Sequence, residues 1–170
     1  MKIINIVASG DLHQSVDFNQ LIGIGERFRF DPNKYHGGYL SLQEGQATIY
    51  RSGKYILCGI KSVNHIPELW SEVSSQLSPY LDMSSATFPV IQNIVGMTDI
   101  QRKISLTKIC ANFSLESVEF EPEVFPGLVW RMKVGTCLIF SSGKILMMGV
   151  KSVDQLNQME ACIRSKIAQL

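Results

Sequence analysis

FEPEVFPGLVWRM, residues 120–132, places Phe125 between an acidic run and a Pro-Gly pair, in a stretch that reads as loop followed by strand edge. A soluble chain normally buries its phenylalanines. Ninety residues earlier the chain reads FDPNKYHGGYLSL, residues 30–42, with Tyr35 where Phe125 falls. The same aromatic-tipped loop is written twice, and that duplication decides the fold.

The repeat extends well beyond the loop. At an offset of 90, Phe30, Pro32, Gly37, Gly45, Ile49, Ser52, Gly53, Lys54, Gly59, Lys61 and Ser62 meet Phe120, Pro122, Gly127, Gly135, Ile139, Ser142, Gly143, Lys144, Gly149, Lys151 and Ser152. INIVASGDL at 4–12 resembles IQNIVGMTDI at 91–100 at an offset of 88, so two residues are absorbed between the two matches. The chain therefore divides into a first repeat over 1–77, a linker over 78–90 and a second repeat over 91–170.

Each repeat has the same predicted order. A strand (3–8, 91–96) leads into a helical stretch, VDFNQLIGIG at 16–25 and ISLTKICANF at 104–113, and a further strand leads into the proline-containing loop. Three alternating segments follow, around 38–43, 46–51 and 54–60 and again around 128–133, 136–141 and 144–150, with glycines supplying the turns. A closing helix carries Ile66, Leu69, Trp70, Val73 and Leu77 on one face in the first repeat, and Leu156, Met159, Ile163, Ile167 and Leu170 in the second. One sheet and two helices are too thin to stand alone. Joined edge to edge, the repeats predict an α+β fold: one long antiparallel sheet with four helices on one side.

The bulk numbers exclude several classes. The chain has 170 residues, is 45% apolar and 18% charged, and carries a net charge of +1, so it is globular and lacks a strongly basic nucleic-acid footprint. No apolar run approaches the roughly 20 residues that span a bilayer, and MKIINIVASGDLHQ reads as a first strand rather than a secretory signal. The four cysteines (58, 110, 137, 162) form no CxxC pair and the three histidines are scattered, which points away from zinc and towards reduced, mostly buried thiols.

Alternation makes both faces of the sheet largely apolar. Tyr50, Ser52, Lys54, Ile56 and Cys58 share one face, as do Phe140, Ser142, Lys144, Leu146 and Met148; Ile49, Tyr55, Leu57, Ile139, Ile145 and Met147 share the other. Helices gathered on one side leave the other to meet a partner, a second copy or a ligand. Lysines and serines interleaved with the hydrophobes favour a flat, polar partner. Glu121 and Glu123 have no nucleophile, metal site or phosphate loop beside them in sequence, so they do not read as a catalytic pair.

QNIVG at 92–96, FEPEVFPGLVWRM at 120–132 and LIFSSGKILMMGVKS at 138–152 resemble the second repeat of the TATA-binding protein family, and NIVAS, FDPNKY and IYRSGKYILCGIKS resemble its first. The resemblance implies a pseudo-twofold saddle whose concave underside sits on the minor groove of promoter DNA. The bending and wedge insertion of this family are standard examples of minor-groove recognition. By position, the implied wedges are Tyr35 and Tyr50, and Phe125 and Phe140. Asn5 and Asn93 match amides that meet groove acceptors, which are all that A·T pairs present there. Val7, Val95, Ile56 and Leu146 match residues lying on base edges. Lys54, Lys61, Lys144, Lys151 and Arg131 match backbone contacts, with Ser52 and Ser142 beside them.

The resemblance also implies partners: AT-rich promoter DNA, transcription factor B on the acidic loop Glu121, Glu123 and Val124, an RNA polymerase pre-initiation complex, and a weak homodimer through the concave face of the free protein. It implies no cofactor, no metal, no enzymatic activity and no membrane. The implied setting is intracellular, in the nucleus for a eukaryotic or viral source and in the cytoplasm or nucleoid for an archaeal one.

The chain departs from the family pattern at several positions. Cys58 and Met148 stand where threonine is usual, Ser41 stands opposite Arg131, the turns at 43–45 and 133–135 are short, and both first-repeat wedges are tyrosines, whose hydroxyls must find a partner or stay wet. A second reading stays open on those departures: a protein-interaction module on the same fold, with little or no specific DNA binding.

Overall fold

Period-two alternation sets the strands. In a computed structural model of the chain, which describes residues 1–112 and 117–168, two compact units appear: residues 5–92, and residues 93–170 with residues 1–4. The first unit is built from β1 (Lys2–Asp11), α1 (Phe18–Leu21), β2 (Phe28–Arg29), β3 (Gly37–Ser41), β4 (Gln46–Tyr50), β5 (Lys54–Ile60) and α2 (Ile66–Leu77). Its antiparallel order is β2-β3-β4-β5-β1. The second is built from β6 (Val90–Asp99), α3 (Leu106–Asn112), β7 (Val118–Glu119), β8 (Leu128–Arg131), β9 (Thr136–Ile139), β10 (Lys144–Val150) and α4 (Val153–Ala168), in the order β6-β10-β9-β8-β7. The same α+β plan is thus executed twice.

On β4, β5, β9 and β10 the odd-numbered residues face the core. Ile49, Leu57, Ile139, Ile145 and Met147 are wholly buried, and Tyr55 almost so. Helix α2 covers this face in the first unit: Trp70 stacks on Tyr55 with ring centroids 5.0 Å apart, while Leu69, Val73 and Leu77 are buried from the same helix. Helix α4 does so in the second through Leu156, Met159, Ile163 and Ile167. Leu170, assigned to that apolar stripe, lies outside the described residues.

The helical stretch expected over 16–25 is only one α turn. Asp17 caps it by accepting the Asn19 N–H at 3.0 Å. The glycines then weaken it: Ile22–Arg27 is a 3-10 segment interrupted at Gly25, whose φ is 82°.

The position of the two-residue offset is also visible. Val16 N–H donates to Arg51 C=O at 2.9 Å and Ile104 N–H to Ser141 C=O at 3.0 Å. Likewise His13 and Gln101 share a positive φ, 52° and 58°. An offset of 88 therefore holds past the helix starts, whereas Phe28 and Val118, first residues of β2 and β7, are already 90 apart. The extra residues fall between the start of α3 and the start of β7.

Residues 78–90, expected as a linker, are tied to the first unit. Thr87 exchanges backbone and side-chain hydrogen bonds with Asp11, the Tyr55 hydroxyl donates to Thr87 C=O at 2.6 Å, and Gln14 donates to Asp82 C=O. Burial raises the Tyr55 phenol above its ordinary pKa, so it remains a donor.

The cysteines are free, but only Cys137 is buried, and burial pushes its thiol up to about 12. Cys58 lies on the face the helices leave open, and Cys162 lies on the solvent side of α4 next to inward-facing Ile163. Expecting most of them inside overlooked these two outward positions.

Candidate nucleic-acid interface

The face opposite the core is built alike in both units. In the first, Val7, Ile56 and Cys58 are partly exposed; in the second, Val95, Leu146 and Met148 are. β4 and β9 contribute Thr48, paired with Ile56, and Leu138, paired with Leu146. The sequence reading missed both residues, although counting back by twos from Tyr50 and Phe140 finds them. Lys54, Lys144, Lys61 and Lys151 are exposed at the ends of β5 and β10, and Ser52 and Ser142 are exposed in the preceding turns.

A β-bulge sits at the same place in each unit. The register slips between Ile6 and Ala8 on β1 against β5, and between Met147 and Val150 on β10 against β6. Gly59 and Gly149 adopt φ of 85° and 87° there, in the left-handed region that glycine enters without strain. Each bulged N–H is taken up by a side chain: Gly59 N–H donates to Asn5 Oδ1 and Gly149 N–H to Asn93 Oδ1, both at 2.8 Å. With its oxygen so engaged, each amide keeps its NH2 group as a donor. The bulge thus takes one end of the side chain and leaves the other.

The aromatic residues come together as two pairs. Phe125 and Phe140 meet edge to face with centroids 5.8 Å apart; Tyr35 and Tyr50 do so at 6.2 Å. Glycine makes room for each pair. A Cβ on Gly127 would stand 2.7 Å from the Phe125 ring and 3.0 Å from the Phe140 ring; one on Gly37 would stand 3.0 Å from the Tyr35 ring. The first pair has an addition that the sequence reading did not identify: Tyr39 stacks on Tyr35 at 5.5 Å and 13°. The Tyr35 and Tyr50 hydroxyls lie 2.7 Å apart and satisfy each other. That bond with Tyr35, followed by burial, pushes the Tyr50 phenol up to about 12. A recess of about 430 Å3 adjoins Tyr50 beside Ser52, Lys54 and Ile56. Its counterpart of about 400 Å3 adjoins Phe140 beside Ser142, Lys144 and Leu146.

The loops ahead of Tyr35 and Phe125 share one turn geometry. The N–H groups of Val124 and Phe125 both donate to Glu121 C=O at 2.9 Å, and those of Lys34 and Tyr35 to Asp31 C=O at 3.1 Å. The side chains differ. Glu121 and Glu123 are exposed and directly precede Val124, which is 79% exposed. In the first unit Asp31 is instead paired with Lys34 at 3.4 Å. Arg131 projects from β8 and is held by Glu119, its β7 neighbour, while Ser41 makes no comparable pair.

Among the described residues no group of three or more His, Cys, Asp or Glu side chains is arranged to hold a metal ion, and no helix is long and apolar enough to cross a membrane.

The family model described as Transcription factor TFIID (or TATA-binding protein, TBP) matches residues 1–80 and 88–170. TATA-box-binding protein C of Halobacterium salinarum is 33% identical, with all of this chain and 98% of that protein covered. The TATA-box-binding protein of Natronomonas pharaonis is 34% identical, with all of this chain and 94% of that protein covered. In structure, Methanococcus jannaschii TBP superposes with a TM-score of 0.82 at 28% identity, covering 99% of this chain and 98% of that one. The duplicated sheet, the bulges and the paired aromatics are therefore set in a known architecture, and the chain belongs to the TATA-binding protein family of transcription initiation factors.

Proposed function

We propose that this protein binds the minor groove of TATA-like promoter DNA, bends it by wedging Tyr35 and Tyr50 at one end of the site and Phe125 and Phe140 at the other, and recruits transcription factor B to begin assembly of an RNA polymerase pre-initiation complex. The observation that carries this reading is the recurrence, in both units, of an aromatic pair and a bulge-anchored amide on the half-exposed face. Apolar side chains suit the sugar and base edges of a narrow groove, amide donors suit the acceptors of A·T pairs, and partial unstacking is the cost that aromatic wedges offset by contact. Lys54, Lys61, Lys144 and Lys151 supply charge for backbone phosphates at the ends of β5 and β10. Glu121, Glu123 and Val124 supply an acidic knob with an exposed apolar residue for transcription factor B.

Cys58 and Met148, on the same face as the amides, favour the second reading of a protein-interaction module. Gel-shift titration on an AT-rich promoter duplex, with and without transcription factor B, separates the two. DNA binding expects a shift that prefers the AT-rich duplex and a slower species on adding the factor. A folded protein that binds AT-rich and GC-rich duplexes equally, or neither, supports the interaction module.

A further inference from the structure

The two aromatic pairs are alike in geometry and unlike in chemistry. Phe125 and Phe140 bring no polar side-chain atom. Tyr35 and Tyr50 bring two hydroxyls whose oxygens lie 2.7 Å apart. Two hydroxyls carry two protons and four lone pairs, and their mutual bond uses one of each. One O–H donor and three lone pairs remain, fixed together at the edge of the pair. Tyr39, stacked on Tyr35, steadies that edge; the second unit has Val129 at the matching position of β8.

The minor groove discriminates through a single group. A·T and T·A pairs present only acceptors there, and a G·C pair adds the guanine N2 amino donor. A phenyl wedge set against G·C strips water from that amine and offers nothing in return, which leaves a donor unpaired. The tyrosine pair can accept from the amine, and it can turn its remaining O–H towards adenine N3 or thymine O2. We infer that the Tyr35–Tyr50 hydroxyl pair is a recognition site for the guanine N2 amino group, so that the first unit accepts a G·C pair at its wedged step where Phe125 and Phe140 demand A·T. This rests on the DNA-binding reading above. It makes one end of the site permissive and the other strict, which gives a duplicated protein a basis for choosing its direction on DNA.

The test is equilibrium binding of the whole chain to an AT-rich duplex series in which one G·C pair, or one inosine·cytosine pair lacking the N2 amine, replaces A·T at each position in turn. Towards one end G·C is expected to weaken binding by less than about threefold, and towards the other by roughly 10- to 100-fold. Inosine·cytosine at the strict end restores binding to near the A·T level. Tyr35→Phe with Tyr50→Phe makes both ends strict: measured against that variant's own affinity for the all-A·T duplex, G·C at the formerly permissive end costs roughly 10- to 100-fold. Tyr50→Phe alone keeps one phenol oxygen as acceptor and gives an intermediate penalty.

Equal penalties at both ends of a tightly bound duplex, or tolerance that persists in the double phenylalanine variant, overturn the hydroxyl assignment and leave the DNA-binding reading standing. Failure of the folded wild-type chain to bind any AT-rich duplex overturns both.

Discussion

Arg131 is gripped by Glu119: its Nε donates to Oε1 at 2.9 Å and a terminal NH2 to Oε2 at 3.1 Å, across the β7–β8 pair. The pair lies in solvent, with both side chains about 60% exposed. The guanidinium hydrogen bonds hold Glu119 below the usual carboxylate range, so the clasp stays closed at neutral pH. In the proposed complex a DNA phosphate competes with that carboxylate for Arg131. Glu119→Gln should therefore raise affinity for duplex DNA, by up to about fivefold given the usual strength of an exposed pair. Arg131→Ala should weaken binding to all sequences alike and lower the salt slope by about one. Anisotropy titrations across a salt series check both. An unchanged slope in Arg131→Ala removes this residue from the phosphate contacts.

In the proposed function Asn5 and Asn93 divide their two ends between structure and recognition, and aspartate separates those duties. Asn93→Asp keeps the oxygen that accepts from Gly149 N–H and replaces the NH2 donor with a second acceptor. Stability should change by less than about 0.5 kcal/mol, while affinity for an AT-rich duplex should fall roughly tenfold or more. Asn5→Leu removes the bulge bond as well, and should cost about 1 kcal/mol of stability, since Gly59 N–H is partly buried. Urea denaturation and gel shifts on the same samples separate the effects. Unimpaired DNA binding by Asn93→Asp shows that the amide acts only within the fold.

What the sequence disclosed follows from what repeats and alternates. Turn glycines, β5 and β10, and the core face from Ile49 to Leu57 are legible because side-chain direction in a strand follows from counting by twos. The bulges were not legible, because a bulge breaks that count and its partner lies elsewhere in the chain: Asn5 stands fifty-four residues from Gly59. The Arg131–Glu119 and Tyr35–Tyr50 bonds were hidden for the same reason, since each joins side chains brought together only by strand register. The roles of Gly37 and Gly127 were hidden differently. Their match was seen, but the need for glycine comes from rings lying over the backbone rather than from a positive φ.

Gly127 tests that packing. Gly127→Ala adds a methyl 2.7 Å from the Phe125 ring, so one or both phenyl rings must shift. Ring ends can move, and the expected stability loss is only about 1 kcal/mol. The geometry of the wedge should suffer more. Donor–acceptor fluorescence on end-labelled duplex DNA should report a smaller bend at saturating protein. A full bend with intact affinity shows that the ring positions seen here are not those the wedge requires.

A polar cluster in the second unit predicts acid sensitivity. The Thr98 hydroxyl, almost fully buried, donates to Glu160 at 2.7 Å and accepts from Arg164 at 2.6 Å, while Arg164 Nε donates to Glu160 at 3.0 Å. Burial pushes the Glu160 carboxyl up, but the bonds from Thr98 and Arg164 outweigh it and leave the pKa below its ordinary value. A carboxyl depressed on folding contributes stability that is present above its unfolded pKa of about 4.3 and is lost as pH falls through the lower folded value. Thr98→Val should cost about 1–2 kcal/mol at neutral pH. The wild-type advantage over that variant should shrink on acidification below about pH 4. Thermal melts of both proteins across pH decide it, and a constant gap at all pH values means that the loss comes from packing rather than from the carboxylate.

The acidic loop separates two surfaces that fall close together in sequence. Glu121, Glu123 and Val124 are exposed, whereas Phe125, the next residue, packs on Phe140. The Glu121 carbonyl, not its side chain, organises the turn by accepting from Val124 and Phe125. Side-chain replacement there should leave the aromatic pair in place. Glu121→Arg with Glu123→Arg reverses the charge of the proposed contact and should abolish the slower species formed with transcription factor B while DNA alone is bound as before. Added positive charge near the duplex masks a modest loss of DNA affinity at low salt, so the comparison is made at two salt concentrations, the higher of which removes a spurious electrostatic gain. Asp31→Arg is the control. Its loop has the same turn, but Asp31 is already paired with Lys34 and no second acid follows, so this change should leave recruitment intact. Equal loss of recruitment from either loop overturns the assignment of the partner to the second unit, and loss of DNA binding by the folded double variant overturns the separation of the two surfaces.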